Sequence, residues 1–131
     1  MALPTQTHLM RFVVPSVLVL VAAIHALPVA GVLGATKLAQ LYGVTVHDPN
    51  LELLLRHRAV LFGLLAALMA YSAFRPELHG VGLLAGLAST VSFLILAHSV
   101  GALSAGLITV VRADWLATIL LVIALVAHFK R

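Results

Sequence analysis

Four ionisable residues stand in or beside long, mostly apolar stretches and lead the candidates for a site: His25, Glu52, Arg56 and Asp114. Glu52 precedes Arg56 by four positions, the favourable order for an ion pair along one helix. Asp114 adds a second carboxylate, and His25 adds an imidazole that can accept or donate a hydrogen bond. In an apolar surrounding such a set can hold the polar head of an apolar ligand, carry a proton, or pin helices together. His57, His98, Arg58 and Arg112 form a second rank of candidates. For Arg58 and Arg112 the simpler expectation is a side chain that reaches from the helix to the membrane surface. His8, His47, His79 and His128 fall in tails, loops or helix ends and receive no role. No helix carries a His-x-x-x-His or Glu-x-x-His pair, so no metal centre is expected. The chain has no cysteine, which excludes thiol catalysis and cysteine-held metals. It has no glycine-rich phosphate loop. Ser89, Ser92 and Ser99 read as helix-packing residues, and no catalytic residue is singled out.

The elements that must position these groups follow from composition. The chain has 131 residues, of which 63% are hydrophobic and 9% charged, with mean hydropathy +1.15. A soluble domain is about 45–50% apolar and about 25% charged, so eight Lys and Arg with four Asp and Glu cannot cover this chain in water. A helix needs about 20 apolar residues to cross the hydrocarbon, and four stretches meet that length: 12–33, 53–74, 78–100 and 107–129. Lipid leaves no backbone group unpaired, so these runs are helices. The expected fold is all-α, a single domain forming a four-helix transmembrane bundle. Arg75-Pro76-Glu77 joins the second and third helices, and small residues from Gly101 to Gly106 join the third and fourth. The longer link 34–50 contains an interfacial segment from Lys37 to Tyr42 and ends in Asp48-Pro49-Asn50, a helix start with a capping side chain. Pro28 should kink the first helix. The first helix is expected to remain in the protein rather than be cleaved as a signal peptide.

Small residues mark the faces along which helices meet in lipid. On the second helix Glu52, Arg56, Ala59, Gly63, Ala66 and Ala70 share one face at helical spacing, so Glu52 and Arg56 are expected to point into the bundle. Gly82, Gly86, Ser89 and Phe93 share a face of the third helix. Asp114, Ala117, Leu121, Ala124 and His128 share one of the fourth, with Arg112 roughly opposite. Ala22, His25 and Val29 share a face of the first. His98 falls on a lipid-facing side. Every helix therefore brings an ionisable group toward the end of the bundle remote from the termini, called here the far end. The termini and the Arg75 turn define the tail end. Its flanking Arg11, Arg75, Lys130 and Arg131 place it in the cytoplasm by the positive-inside rule. The net charge of +4 forms no basic run, so no nucleic-acid partner is expected.

The segment Leu51-Glu52-Leu53-Leu54-Leu55-Arg56-His57-Arg58-Ala59-Val60-Leu61-Phe62-Gly63, with Leu41-Tyr42-Gly43 upstream, resembles a group of small bacterial four-helix membrane proteins. Its members often carry the label phosphopantetheine adenylyltransferase. The soluble enzyme of that name has alternating strands and helices and a Gly-His phosphate motif, and this chain has neither. Four helices with a Leu-Tyr-Gly link are more distantly similar to the DoxX-like superfamily. That likeness implies a bacterial inner-membrane location and a link to quinone-coupled or oxidoreductase complexes. Arg56-x-Arg58-Ala59 resembles the second helix of the membrane-associated glutathione transferases, although Leu61 and Phe62 stand where that family has Asn and Glu. Three expectations follow. One is a module that binds a quinone or lipid, or serves as an accessory subunit of a membrane redox complex, with Glu52, Arg56, Asp114 and His25 as its polar site. Another is a structural or assembly protein, alone, as a homo-oligomer or in a larger complex. The third is a membrane transferase or oxidoreductase using the same residues.

Overall fold

A computed structural model describes residues 4–130. Helix α1 (Pro4–Ala26) continues into a 3-10 segment, Leu27–Leu33. A short helix, α2 (Ala35–Tyr42), follows, and then α3 (Pro49–Ala73), α4 (His79–Val100) and α5 (Ala105–Phe129). Four stretches are long and apolar enough to cross a membrane: His8–Leu33, Pro49–Ala73, Pro76–Val100 and Ala105–Phe129. The chain is an all-α integral membrane bundle of four spanning helices.

The bounds differ from the sequence expectation in instructive ways. Pro28, whose ring cannot donate to the turn before it, produces a change of winding rather than a simple kink. The chain passes from α to 3-10 at Leu27, so the far third of the first span is 3-10. Helix α3 begins at Pro49, four residues before the apolar run. Asp48 caps it by accepting the Asn50 backbone N–H at 2.8 Å, and Pro49 fills a position whose N–H would be unsatisfied. Helix α5 begins at Ala105 because Ser104 accepts the Leu107 N–H at 3.2 Å.

The tail half of the bundle holds the main core. Val14, Leu18, Val21 and Ala22 of α1 pack with Met69 and Ala73 of α3, Leu83 of α4, and Ala117, Leu121 and Ala124 of α5. Glycine allows the closest approach. A Cβ on Gly86 would stand 3.0 Å from Met69 Sδ and 3.1 Å from Leu121 Cδ1, and one on Gly82 would stand 2.7 Å from Ser72 Cβ. The small stripes on α4 and α5 thus face the interior as their spacing implies. Thr90 and Thr118 add a contact between those two helices, their hydroxyls 2.9 Å apart.

The far half is closed by α2. Leu38, Tyr42 and Val46 form a second core with Leu41, Leu55, Leu107 and Val110 around them. Gly43 ends α2 in the left-handed region at φ 64°, with its N–H bonded to the Ala39 carbonyl at 2.8 Å, a conformation glycine adopts without strain. The Ser104 hydroxyl donates to the Tyr42 carbonyl, and Gly106 lies directly against the Tyr42 backbone. Tyr42 is therefore clamped onto the start of α5.

Candidate functional site

Helix α3 settles which ionisable groups enter the bundle. Ala59 and Ala66 of the expected small stripe are buried, but the stripe leaves the interior toward the far end. The Arg56 side chain is 50% exposed and that of Glu52 32%. The expectation that both point into the bundle is corrected. Because α3 starts at Pro49, these residues occupy its first two turns, where the 3-10 end of the first span and its exit lie alongside. Arg56 Nε donates to the Val32 carbonyl at 2.9 Å. A Cβ on Gly34 would stand 3.5 Å from Glu52 Oε1. The Glu52–Arg56 pair, 3.9 Å apart within one helix, tethers the 3-10 segment and does not reach Asp114.

Arg58 takes the interior position instead. It belongs to a second stripe of α3, Arg58-Phe62-Leu65-Met69-Ser72, whose last two members are fully buried. Counted from Pro49, Arg58 is nine residues into α3; counted from Ala105, Asp114 is nine residues into α5. At 1.5 Å per residue both lie about 14 Å from the far ends of their helices. His25 precedes Leu33, the end of the 3-10 segment, by eight residues, about 15 Å. The three groups therefore lie at a similar distance from the far ends of their helices. The Arg58 side chain turns to Tyr42 and Phe62 rather than standing free at the helix surface.

These three residues line one cavity of about 190 Å³ between α1, α3 and α5. Tyr42, Phe62, Ile24, Pro28, Thr109 and Val110 complete most of the wall. Arg58 Nη1 donates to the Tyr42 hydroxyl at 2.9 Å. The guanidinium carbon lies 4.5 Å from the centre of the Phe62 ring, 5.4 Å from that of Tyr42 and 5.8 Å from that of Phe93. Aromatic faces favour a cation at such distances, and they hold it where carboxylates do not touch it. No Arg58–carboxylate pair within 4.0 Å occurs among the described residues, although Asp114 lines the same cavity. The Asp114 carboxylate accepts no hydrogen bond from the described residues.

His25 is 2% exposed. Its Nδ1 stands 3.0 Å from the Val21 carbonyl, which only accepts, so Nδ1 carries the proton. Nε2 then accepts from the Ser89 hydroxyl at 3.2 Å. The ring also lies 5.6 Å from that of Phe62. His25 thus joins α1 to α4 and forms the inner wall of the cavity. His57, His98 and Arg112 are exposed on the outer surface. His98 and Trp115 border a separate apolar groove between α4 and α5.

Of the sequence candidates, the fold brings together His25, Asp114 and Arg58 and leaves out Glu52, Arg56, His57, His98 and Arg112. Tyr42, Phe62 and Ser89 enter the site without having been singled out. For Arg58 a signal existed: four residues separate it from Phe62, seven from Leu65 and eleven from Met69, a helical face as regular as the small-residue one. Tyr42 had only its neighbour Gly43, and its partner Gly106 is remote in sequence. Among the described residues no group of three or more His, Cys, Asp or Glu could hold a metal ion. The chain matches no family model, no curated protein and no solved structure.

Proposed function

We propose that this protein is a membrane-embedded binding module for a quinone, working alone or as an accessory subunit of a membrane redox complex. The carrying observation is the cavity in which Arg58, Asp114 and His25 meet within an otherwise apolar wall. Insertion of a charged side chain at mid-membrane costs about 2.5–3.5 kcal/mol, so two such charges kept beside one cavity call for a compensating role. Binding sites for small apolar molecules have this character, a mostly apolar cleft with a few convergent polar groups. An apolar cavity of about 150 Å³ takes benzene; this one has room for a substituted six-membered ring and little more. Arg58 offers N–H donors to a ring carbonyl, Phe62 offers a flat face, and Asp114 offers an acceptor for a ring hydroxyl when the ligand is in its quinol form. An isoprenoid tail can leave past Arg58 into the apolar space bounded by Leu55, Phe93, Leu96 and Leu107.

The resemblance to DoxX-like proteins supports the same reading. A glutathione-type ligand fits less well, because a charged tripeptide needs many polar partners and this wall supplies few. Exposed Arg75 and Lys130 at the tail end support termini on the cytoplasmic face of a bacterial inner membrane. A structural role draws on one specific observation, the His25–Ser89 bond between α1 and α4. Native mass spectrometry of the full chain in mild detergent, with a short-tailed benzoquinone added, separates the readings. The proposal expects one quinone per chain, lost in Asp114→Asn and Arg58→Met proteins that remain folded. A retained phospholipid with no quinone uptake would assign the cavity to lipid. An empty wild-type chain would leave the packing role.

A further inference from the structure

The far-end cavity does not involve a second cluster of polar groups, at the tail end. Three buried side-chain polar atoms lack a hydrogen-bond partner among the described residues, and all three lie there: Ser72 Oγ, His79 Nδ1 and His128 Nδ1. They come from three helices, the last turn of α3, the first residue of α4 and the last turn of α5. His79 is 2% exposed. Its Nε2 lies 3.2 Å from the carbonyl of Ala73, the residue after Ser72. A Cβ on Gly82, one turn beyond His79, would stand 3.0 Å from Ser72 Oγ, and one on Gly80 would stand 3.6 Å from His128 Nε2. The two imidazole rings are 6.3 Å apart at 68°. Buried polar groups are normally satisfied, and an exception asks for a bound group that satisfies it. Three exceptions gathered in one place ask for one group.

The donor chemistry narrows what that group is. The Ala73 carbonyl can only accept, so His79 Nε2 carries the proton and the buried Nδ1 is left without a hydrogen-bond partner among the described residues. Metal-binding histidines are held in this way, with the second nitrogen donating to a backbone carbonyl. His128 supplies a second Nδ1. The chain has no cysteine. The carboxylate nearest in sequence, Glu77, is 65% exposed and paired with Arg75 at 3.6 Å. Two imidazoles and a hydroxyl exclude calcium and magnesium, which take carboxylate-rich oxygen sets. Imidazole suits copper, zinc, iron and nickel, and two protein nitrogens without a carboxylate favour the ion with the smallest charge and coordination number. Two imidazoles holding one ion at about 2.0 Å per bond put their ring centres about 5.3–6.4 Å apart, according to the angle at the ion, and the 6.3 Å between these rings lies in that range. We propose that His79 and His128 bind one copper(I) ion at the tail end of the bundle, with Ser72 as an oxygen neighbour. Half-buried His128, in the last turn of α5, is the side from which the ion enters.

The test uses the full chain in detergent, kept reducing with ascorbate, competing for copper(I) against bicinchoninate. The wild-type protein should withdraw one equivalent. His79→Gln and His128→Leu should each weaken uptake at least tenfold, while exposed His98→Gln should not change it. X-ray absorption of the copper-loaded wild type, which needs no variant to fold, should show two nitrogen ligands and no sulfur. The proposal is overturned if the wild type takes no copper, if the double variant takes as much as wild type, or if sulfur scattering dominates. Tighter binding of zinc(II) than of copper(I) would overturn the assignment of the ion. A bound water at the three atoms with no metal uptake would overturn the site altogether.

Discussion

Substitution of Gly106 by alanine tests how the site is held, because Gly106 lies at the cavity edge against the backbone of Tyr42 and brings no side chain to the polar groups. A Cβ there would fall 2.5, 2.7 and 2.8 Å from the Tyr42 carbonyl carbon, its oxygen and its Cα. All three are backbone atoms, so no side-chain rotation relieves the clash. Carbon atoms in good contact stand about 3.5–4.0 Å apart, so α2 must retreat from α5 by about 1 Å. Overpacking of this kind costs about 1–3 kcal/mol, read as a lower midpoint when the protein is unfolded by SDS in mixed micelles. The retreat also carries the Tyr42 hydroxyl from 2.9 Å beyond hydrogen-bond reach of Arg58, so quinone retention should fall with stability. Gly63→Ala is the control. Its Cβ would meet only the Val29 side chain, at 3.4 Å, and it should be close to neutral. If Gly106→Ala proves as stable as Gly63→Ala and retains quinone, α2 is not clamped as described.

Other substitutions separate the groups at the far end. Glu52→Gln should change stability by less than about 0.5 kcal/mol, because a half-exposed pair within one helix contributes little; SDS titration measures it. Thr118→Val removes a hydroxyl contact between α4 and α5 and should cost about 0.6 kcal/mol in the same assay, the usual size of such bonds in membranes. The Asn50 N–H groups bound to Asp48 hold its carboxyl below the usual carboxylate range. Its stabilisation of the α3 start is therefore complete above that range and is lost as pH falls through the lowered value. The protection of amides 50–53 relative to their intrinsic exchange rates should fall in acid in the wild type, and Asp48→Asn should remove most of that pH dependence.

The spanning helices were legible in the sequence because lipid admits one solution for a long apolar run, and the Asp48 cap was legible because its chemistry is local. The 3-10 winding after Leu27 was not, since proline announces a disturbance without specifying its form. Site residues split along the same line. His25 and Asp114 share faces with small residues that do pack inward, so spacing placed them correctly. Arg56 and Arg58 lie two residues apart on nearly opposite sides of α3, which has two regular faces, one small and one large. Choosing between them depended on where the helix begins and on what lies beside its first turns. Tyr42 depends on contacts from Ser104 and Gly106, sixty residues onward, which no local pattern contains.

The central claim, that Arg58 and Asp114 rather than Glu52 and Arg56 form the polar head of a quinone site, is tested most directly by photolabelling. An azido-benzoquinone would be crosslinked to the full chain in lipid nanodiscs, with labelled peptides identified by mass spectrometry. The account predicts labels at Tyr42, Phe62 and the 109–114 stretch of α5, abolished by Arg58→Met or Asp114→Asn and unaffected by Glu52→Gln or Arg56→Met. Labels that cluster around 27–34 and 49–56, and that vanish with Glu52 or Arg56 instead, would contradict it.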